Sequence, residues 1–158
     1  MTARLGVPVM EAILLAVWIG AALLFTAVVA PAAFAVLPTR TLAGALVGRV
    51  LPVIFYAGIL VGVSIVILDV VSKSGSWTRT GAAAVAALAC TVAQLIVGSR
   101  IESLRASIGG PLDALASDDP RRVAFGRLHA ISVGWLGIAM LAAILALVFA
   151  MRSLPRGR

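Results

Sequence analysis

Residues 12–39, AILLAVWIGAALLFTAVVAPAAFAVLPT, run for 28 positions without a charged side chain. About 20 apolar helical residues cross a hydrocarbon layer of roughly 30 Å, so this stretch alone can span a bilayer. Outward from it come three more uncharged runs, residues 50–68, 80–99 and 128–151, of 19, 20 and 24 positions. Backbone N–H and C=O groups in lipid must pair inside a helix or a closed barrel. Barrel strands would show alternation over roughly ten residues, and these runs show none. The sequence therefore predicts an all-α integral membrane protein, a bundle of four transmembrane helices.

Composition agrees. Apolar residues are 62% and charged residues 12% of the chain, against roughly 45–50% and 25% in soluble domains. So little polar surface cannot clothe a water-facing fold, and the lipid bilayer is the expected principal partner. The excess of 13 Lys and Arg over 6 acids gives a net charge of +7. These bases flank the apolar runs, where anionic headgroups pair with them, and no aromatic residues interleave with them. Nucleic acid is therefore excluded as a partner. Cys90 has no second cysteine to pair with and reads as a buried packing residue.

Local signals place the spans at about 9–37, 42–71, 80–103 and 122–151, within one domain over residues 1–158. The length of the first run marks a retained anchor and not a cleaved signal peptide. Helix 1 is expected to start near Pro8, with Glu11 favoured by the dipole of its first turn. Pro31 is expected to kink or end it. Asp69 and Lys73 form an i,i+4 pair, and residues 73–79 make a short turn with Trp77 at the interface. Gly109-Gly110-Pro111 ends helix 3, and the loop at 104–121 is partly helical on the membrane surface. Asp119-Pro120 reads as the cap and first residue of helix 4.

Gly44 and Gly48, then Gly58 and Gly62, are four apart on helix 2, the spacing that lets membrane helices approach closely. Ala82, Ala86 and Cys90 repeat it on helix 3. For orientation, Arg4, Lys73, Arg79, Arg152, Arg156 and Arg158 lie on the side of the termini, six against seven opposite. The exposed Arg-rich tail tips this near-tie towards cytoplasmic termini.

Few polar groups enter the spans. His129 comes first, because an ionisable residue in the membrane is a functional candidate by default. Ser132 shares its helix face at i+3. Three readings of His129 compete: a structural histidine at headgroup level, a binding or proton-handling group, and a haem or metal ligand. The last lacks partners within the chain, and no cofactor or metal is expected. Gln94 is placed for an interhelical hydrogen bond, while Trp18 and Trp135 read as packing. Arg100, with Glu102 and Arg105 paired at i,i+3, forms an interfacial cluster at the end of helix 3, and Arg49 snorkels from helix 2. His129, Arg100, Arg49, Ser132 and Gln94 are thus the candidate ligand or partner contacts. No Ser/His/Asp set, intramembrane carboxylate pair or phosphate loop is present, so no enzyme is expected.

Trp18-Ile-Gly20 with Phe25, Pro31, Phe34, Ala43-Gly44 and Gly48-Arg49 resembles the opening of the transmembrane-protein-205-like family of bacterial and eukaryotic membrane proteins. Phe125-Gly-Arg-Leu-His129-Ala-Ile-Ser132 is similar to that family's segment at the start of the last helix. The resemblance implies a four-helix membrane fold and a functional face. Its bacterial members are largely a domain of unknown function, and a eukaryotic relative is associated with drug resistance. It also implies a loose likeness to copper-resistance and haem-pathway four-helix proteins. The expectation is a non-enzymatic protein of the bacterial inner (cytoplasmic) membrane that binds a small molecule or aids transport or resistance. The alternatives are an accessory subunit of a larger membrane complex or homo-oligomer, and a haem- or metal-handling protein.

Overall fold

The computed structural model describes residues 2–73 and 76–154, with side chains from Gly6 onward. Ser74 and Gly75 of the expected turn, Arg156 and Arg158 of the tail, and the side chain of Arg4 lie outside the described residues. Four helices are long and apolar enough to cross a membrane. α1 comprises Thr2–Leu24, a π-helical turn at Phe25–Val29 and Ala30–Val36. α2 is Arg40–Ser72. α3 comprises Trp77–Thr91, a second π segment at Val92–Gly98 and Ser99–Ile108. α4 is Pro120–Arg152. Each helix packs on its chain neighbours, and α4 closes the ring against α1.

The boundaries follow local chemistry. Thr39 caps α2 by accepting from Leu42 N–H at 3.2 Å, and Ser76 caps α3 by accepting from Arg79 N–H at 3.2 Å. Asp119 caps α4, accepting from Arg121 N–H at 2.8 Å, with Pro120 at the first helical position. The Arg121 side chain also donates to Asp119 and holds its carboxyl below the usual range. α3 ends where Gly109 turns left-handed at φ 65°.

Three local expectations need correction. α1 is helical from Thr2, which leaves Pro8 inside the helix. Pro31 does not end α1: the π turn before it, closed by Ala30 N–H to Phe25 O, widens the helix. The extra residue accommodates a proline that has no donor and crowds a preceding carbonyl. Lys73 takes the left-handed position after α2 at φ 50°, while Asp69 pairs elsewhere. The 104–121 loop holds a single 3₁₀ turn, Leu112–Ala114, after α3 has run on to Ile108.

Small residues make the bundle tight. Ala82, Ala83, Ala86, Ala89, Cys90 and Ala93 of α3 are buried, as are Ala139, Ala143, Ala146 and Ala150 of α4. A Cβ on Gly58 would stand 2.6 Å from Cys90 Sγ and 2.7 Å from the Trp18 ring. One on Gly62 would stand 2.8 Å from the Ala83 carbonyl. Here two helix surfaces meet almost backbone to backbone, where dispersion and not lipid exclusion supplies the attraction. Trp18 ties α1 to α2 by donating Nε1–H to Ile54 O at 2.9 Å. Outward stand Val17, Leu60, Leu88 and Leu141, the apolar surface that lipid covers, and Trp77 is 96% exposed near one membrane surface.

Candidate functional site

The bundle treats its polar groups differently at its two ends. At the end holding the N-terminus, Glu11, Asp69 and Arg79 are all buried. Antiparallel packing brings the start of α1, the end of α2 and the start of α3 together. Arg79 Nη1 lies 3.3 Å from Glu11 Oε2, and its Nε donates to Asp69 Oδ2 at 3.3 Å while Nη2 bonds Oδ1. Thr80 Oγ1–H adds a 2.6 Å bond to Asp69 Oδ2. One guanidinium thus ties three helices. The Asp69–Lys73 pair is corrected here, since Asp69 turns inward to the buried guanidinium and Lys73 sits at the surface turn. Sequence reasoning passed over this cluster, although topology alone puts all three residues on one side.

At the opposite end all four helices line a cavity of about 150 Å³. Its wall is mainly apolar, with Val47, Leu51 and Phe55 from α2 and Ala93 from α3. Gln94, His129, Ser132 and Arg105 bring polar groups to it. Gln94 lies within the π segment Val92–Gly98, a distortion frequent at functional sites. Gly98 leaves room beside the Gln94 amide, whose Nε2 would lie 3.6 Å from a Cβ there. Phe125, His129 and Ser132 fall at i, i+4 and i+7 on α4, and the Phe125 and His129 rings lie parallel at 6.5 Å. Ser132 is 2% exposed. Among the described residues, the side chains of Gln94, His129 and Ser132 make no hydrogen bond to the protein. Ser132 is buried while Gln94 and His129 are half-buried at the cavity wall, so all three keep hydrogen-bonding capacity on its edge.

Two of the expected contacts fall outside this site. Arg49 and Arg100 are exposed and do not border the cavity. Each is one helical step, about 100°, off the stripe that faces inward. The arginine that does border it is Arg105. It does not take the expected partner Glu102; it donates Nη2–H to Gly44 O at 3.2 Å and covers the Phe125 ring at 5.2 Å. This also corrects the role of Gly44 and Gly48. A Cβ on Gly48 would meet Arg105 Nη1 at 3.1 Å, so this pair opens a notch for a guanidinium, whereas Gly58 and Gly62 admit a helix. Among the described residues no three His, Cys, Asp or Glu side chains converge as metal ligands.

A model of the family described as Domain of unknown function (DUF4149) matches residues 13–109. The chain belongs to this family. The DUF4149 match takes in most of α1, all of α2 and all of α3, and therefore Gln94, Arg105 and both glycine pairs. It stops before α4, which supplies His129 and Ser132. Neither a curated protein nor a solved structure matches the chain. The DUF4149 protein is thus a multi-pass membrane protein whose family carries no assigned activity, and its cavity is the main guide to function.

Proposed function

We propose that this DUF4149 protein is a non-enzymatic protein of the bacterial inner membrane that binds a small molecule among Gln94, His129 and Ser132, in a transport or resistance accessory role. One observation carries the reading: three polar side chains with no hydrogen bond to the protein edge a mainly apolar cavity, the usual make-up of a small-molecule site. The resemblance of Phe125–His129–Ser132 to the transmembrane-protein-205-like family supports the same face. The test is purification of the full chain in mild detergent, with mass spectrometry of small molecules that accompany it. Wild type should retain a compound that Gln94→Leu/Ser132→Ala loses at equal expression and helicity. Stoichiometric recovery of another membrane protein, with no compound retained, would replace this reading by that of an accessory subunit.

Both termini are proposed to be cytoplasmic. The Arg-rich tail, with Arg152, Arg156 and Arg158, is what tips the near-tie of six bases against seven towards cytoplasmic termini. Reporter fusions after Arg158 and at Ser76 should report cytoplasm, and fusions at Thr39 and Ser117 the opposite side. A periplasmic signal after Arg158 would reverse the orientation.

A further inference from the structure

The cavity adjoins a second, outer chamber of about 440 Å³ between the loop joining α1 to α2 and the loop joining α3 to α4. Phe34, Gly44, Arg105 and Phe125 line both, so Arg105 stands where the two meet. The two chambers differ in chemistry. Arg40, Arg105 and Arg122 border the outer one. Arg122 Nη1 donates to Leu115 O at 2.8 Å and Arg105 Nη2 to Gly44 O at 3.2 Å, each one of five donors on a guanidinium. Asp113, the acid in that chamber, already accepts from Thr41 N–H at 2.9 Å and Thr41 Oγ1–H at 2.8 Å. Glu102 borders the inner chamber and penalises an anion placed there. At about 150 Å³ the inner chamber matches a cavity size that admits a benzene ring.

We propose that the two chambers form one site for a small anionic amphiphile. A phosphate or carboxylate head bonds Arg40, Arg105 and Arg122, and an aromatic or short alkyl group enters between Leu51 and Phe55, beneath His129. The inference deepens the small-molecule reading above and rests on it. Charge-assisted, bidentate contacts from arginine select oxyanions, while the apolar chamber requires a covalently attached hydrophobic group. Neither half alone satisfies the site.

The test is equilibrium binding of radiolabelled octyl phosphate to the full chain in phosphatidylcholine nanodiscs, corrected with protein-free discs. Octanol and inorganic phosphate serve as competitors. Binding should saturate at one per chain, and each competitor should be at least roughly tenfold weaker, the scale of losing a charge-assisted bond or the apolar contact. Arg105→Ala should weaken binding roughly tenfold or more, and Arg40→Gln, a change at an exposed side chain, severalfold. Should Arg105→Ala fail to fold, Arg40→Gln decides. Equal affinity for inorganic phosphate would make the site one for a free anion and overturn the proposal. Equal affinity for octanol, lost in Gln94→Leu/Ser132→Ala and untouched by both arginine changes, would overturn the anionic head and leave the pocket reading standing. No saturable binding of either amphiphile would overturn the proposal, and nothing retained on purification would then remove the pocket reading too.

Discussion

The two ends of this bundle handle charge inside a membrane in opposite ways. At the terminal end, Arg79 pairs with Glu11 and Asp69 while Thr80 bonds the same Asp69, and each contact links one helix to another. At the other end, Arg105 borders a cavity beside Gln94, His129 and Ser132, which make no hydrogen bond to the protein. A charge enclosed by protein partners holds helices together. A charge held at the edge of open space has donors left for something else. The difference separates a clamp from the proposed site, and single substitutions can break or sharpen it.

The largest effect should come from the clamp. Arg79→Ala leaves two carboxylates buried together, and removing one partner of a buried pair costs about 3–5 kcal/mol. Chemical unfolding in detergent micelles should register that loss, and a variant as stable as wild type would erase the distinction between the ends. Next come the two glycine pairs. Gly58→Ala drives a methyl into Cys90 and Trp18 and should cost about 1–3 kcal/mol, as overpacking does. Gly48→Ala meets only a movable guanidinium, so displacement of Arg105 is offset by roughly 0.5–1 kcal/mol of helix propensity. Its stability should barely change. Equal losses in thermal unfolding would mean that both pairs pack helices. A smaller change is expected at Lys73, held at φ 50°. Lys73→Gly should gain about 1 kcal/mol by relieving the left-handed backbone. A loss there would instead restore an Asp69–Lys73 pair. The smallest effect should be Ser132→Ala. With no hydrogen bond to lose, it should shift stability by less than about 0.5 kcal/mol, while ligand retention falls. A loss above about 1 kcal/mol would reveal a structural partner and place this end with the clamp.

Much of the site was legible in the helical repeat, and its omissions have particular causes. The stripe Arg122, Phe125, His129 and Ser132 follows from i, i+3 and i+4 spacing on a regular helix. Arg49 and Arg100 stand out in the sequence by their charge and their place at span ends. Phase decides between neighbours: residues 44, 48, 51 and 55 form the inward stripe of α2, and Arg49 lies beside it. On α3 the cavity stripe runs through 94, 98, 101 and 105, ordinary helical spacing that puts Arg105 on the face of Gln94 and Arg100 well off it.

The sequence by itself determined the solvent, the four spans, their antiparallel order and the cap at Asp119. Each of these follows from length, charge placement or bonding among residues a few positions apart. The tertiary structure decided which buried charges meet and which polar groups stay without protein partners. It also decided that one glycine pair admits a helix while the other admits a guanidinium. Those outcomes depend on the rotation of each helix about its own axis. That rotation is set by contacts among Ala, Gly and Trp side chains from distant parts of the chain, and spacing along one helix carries no record of it.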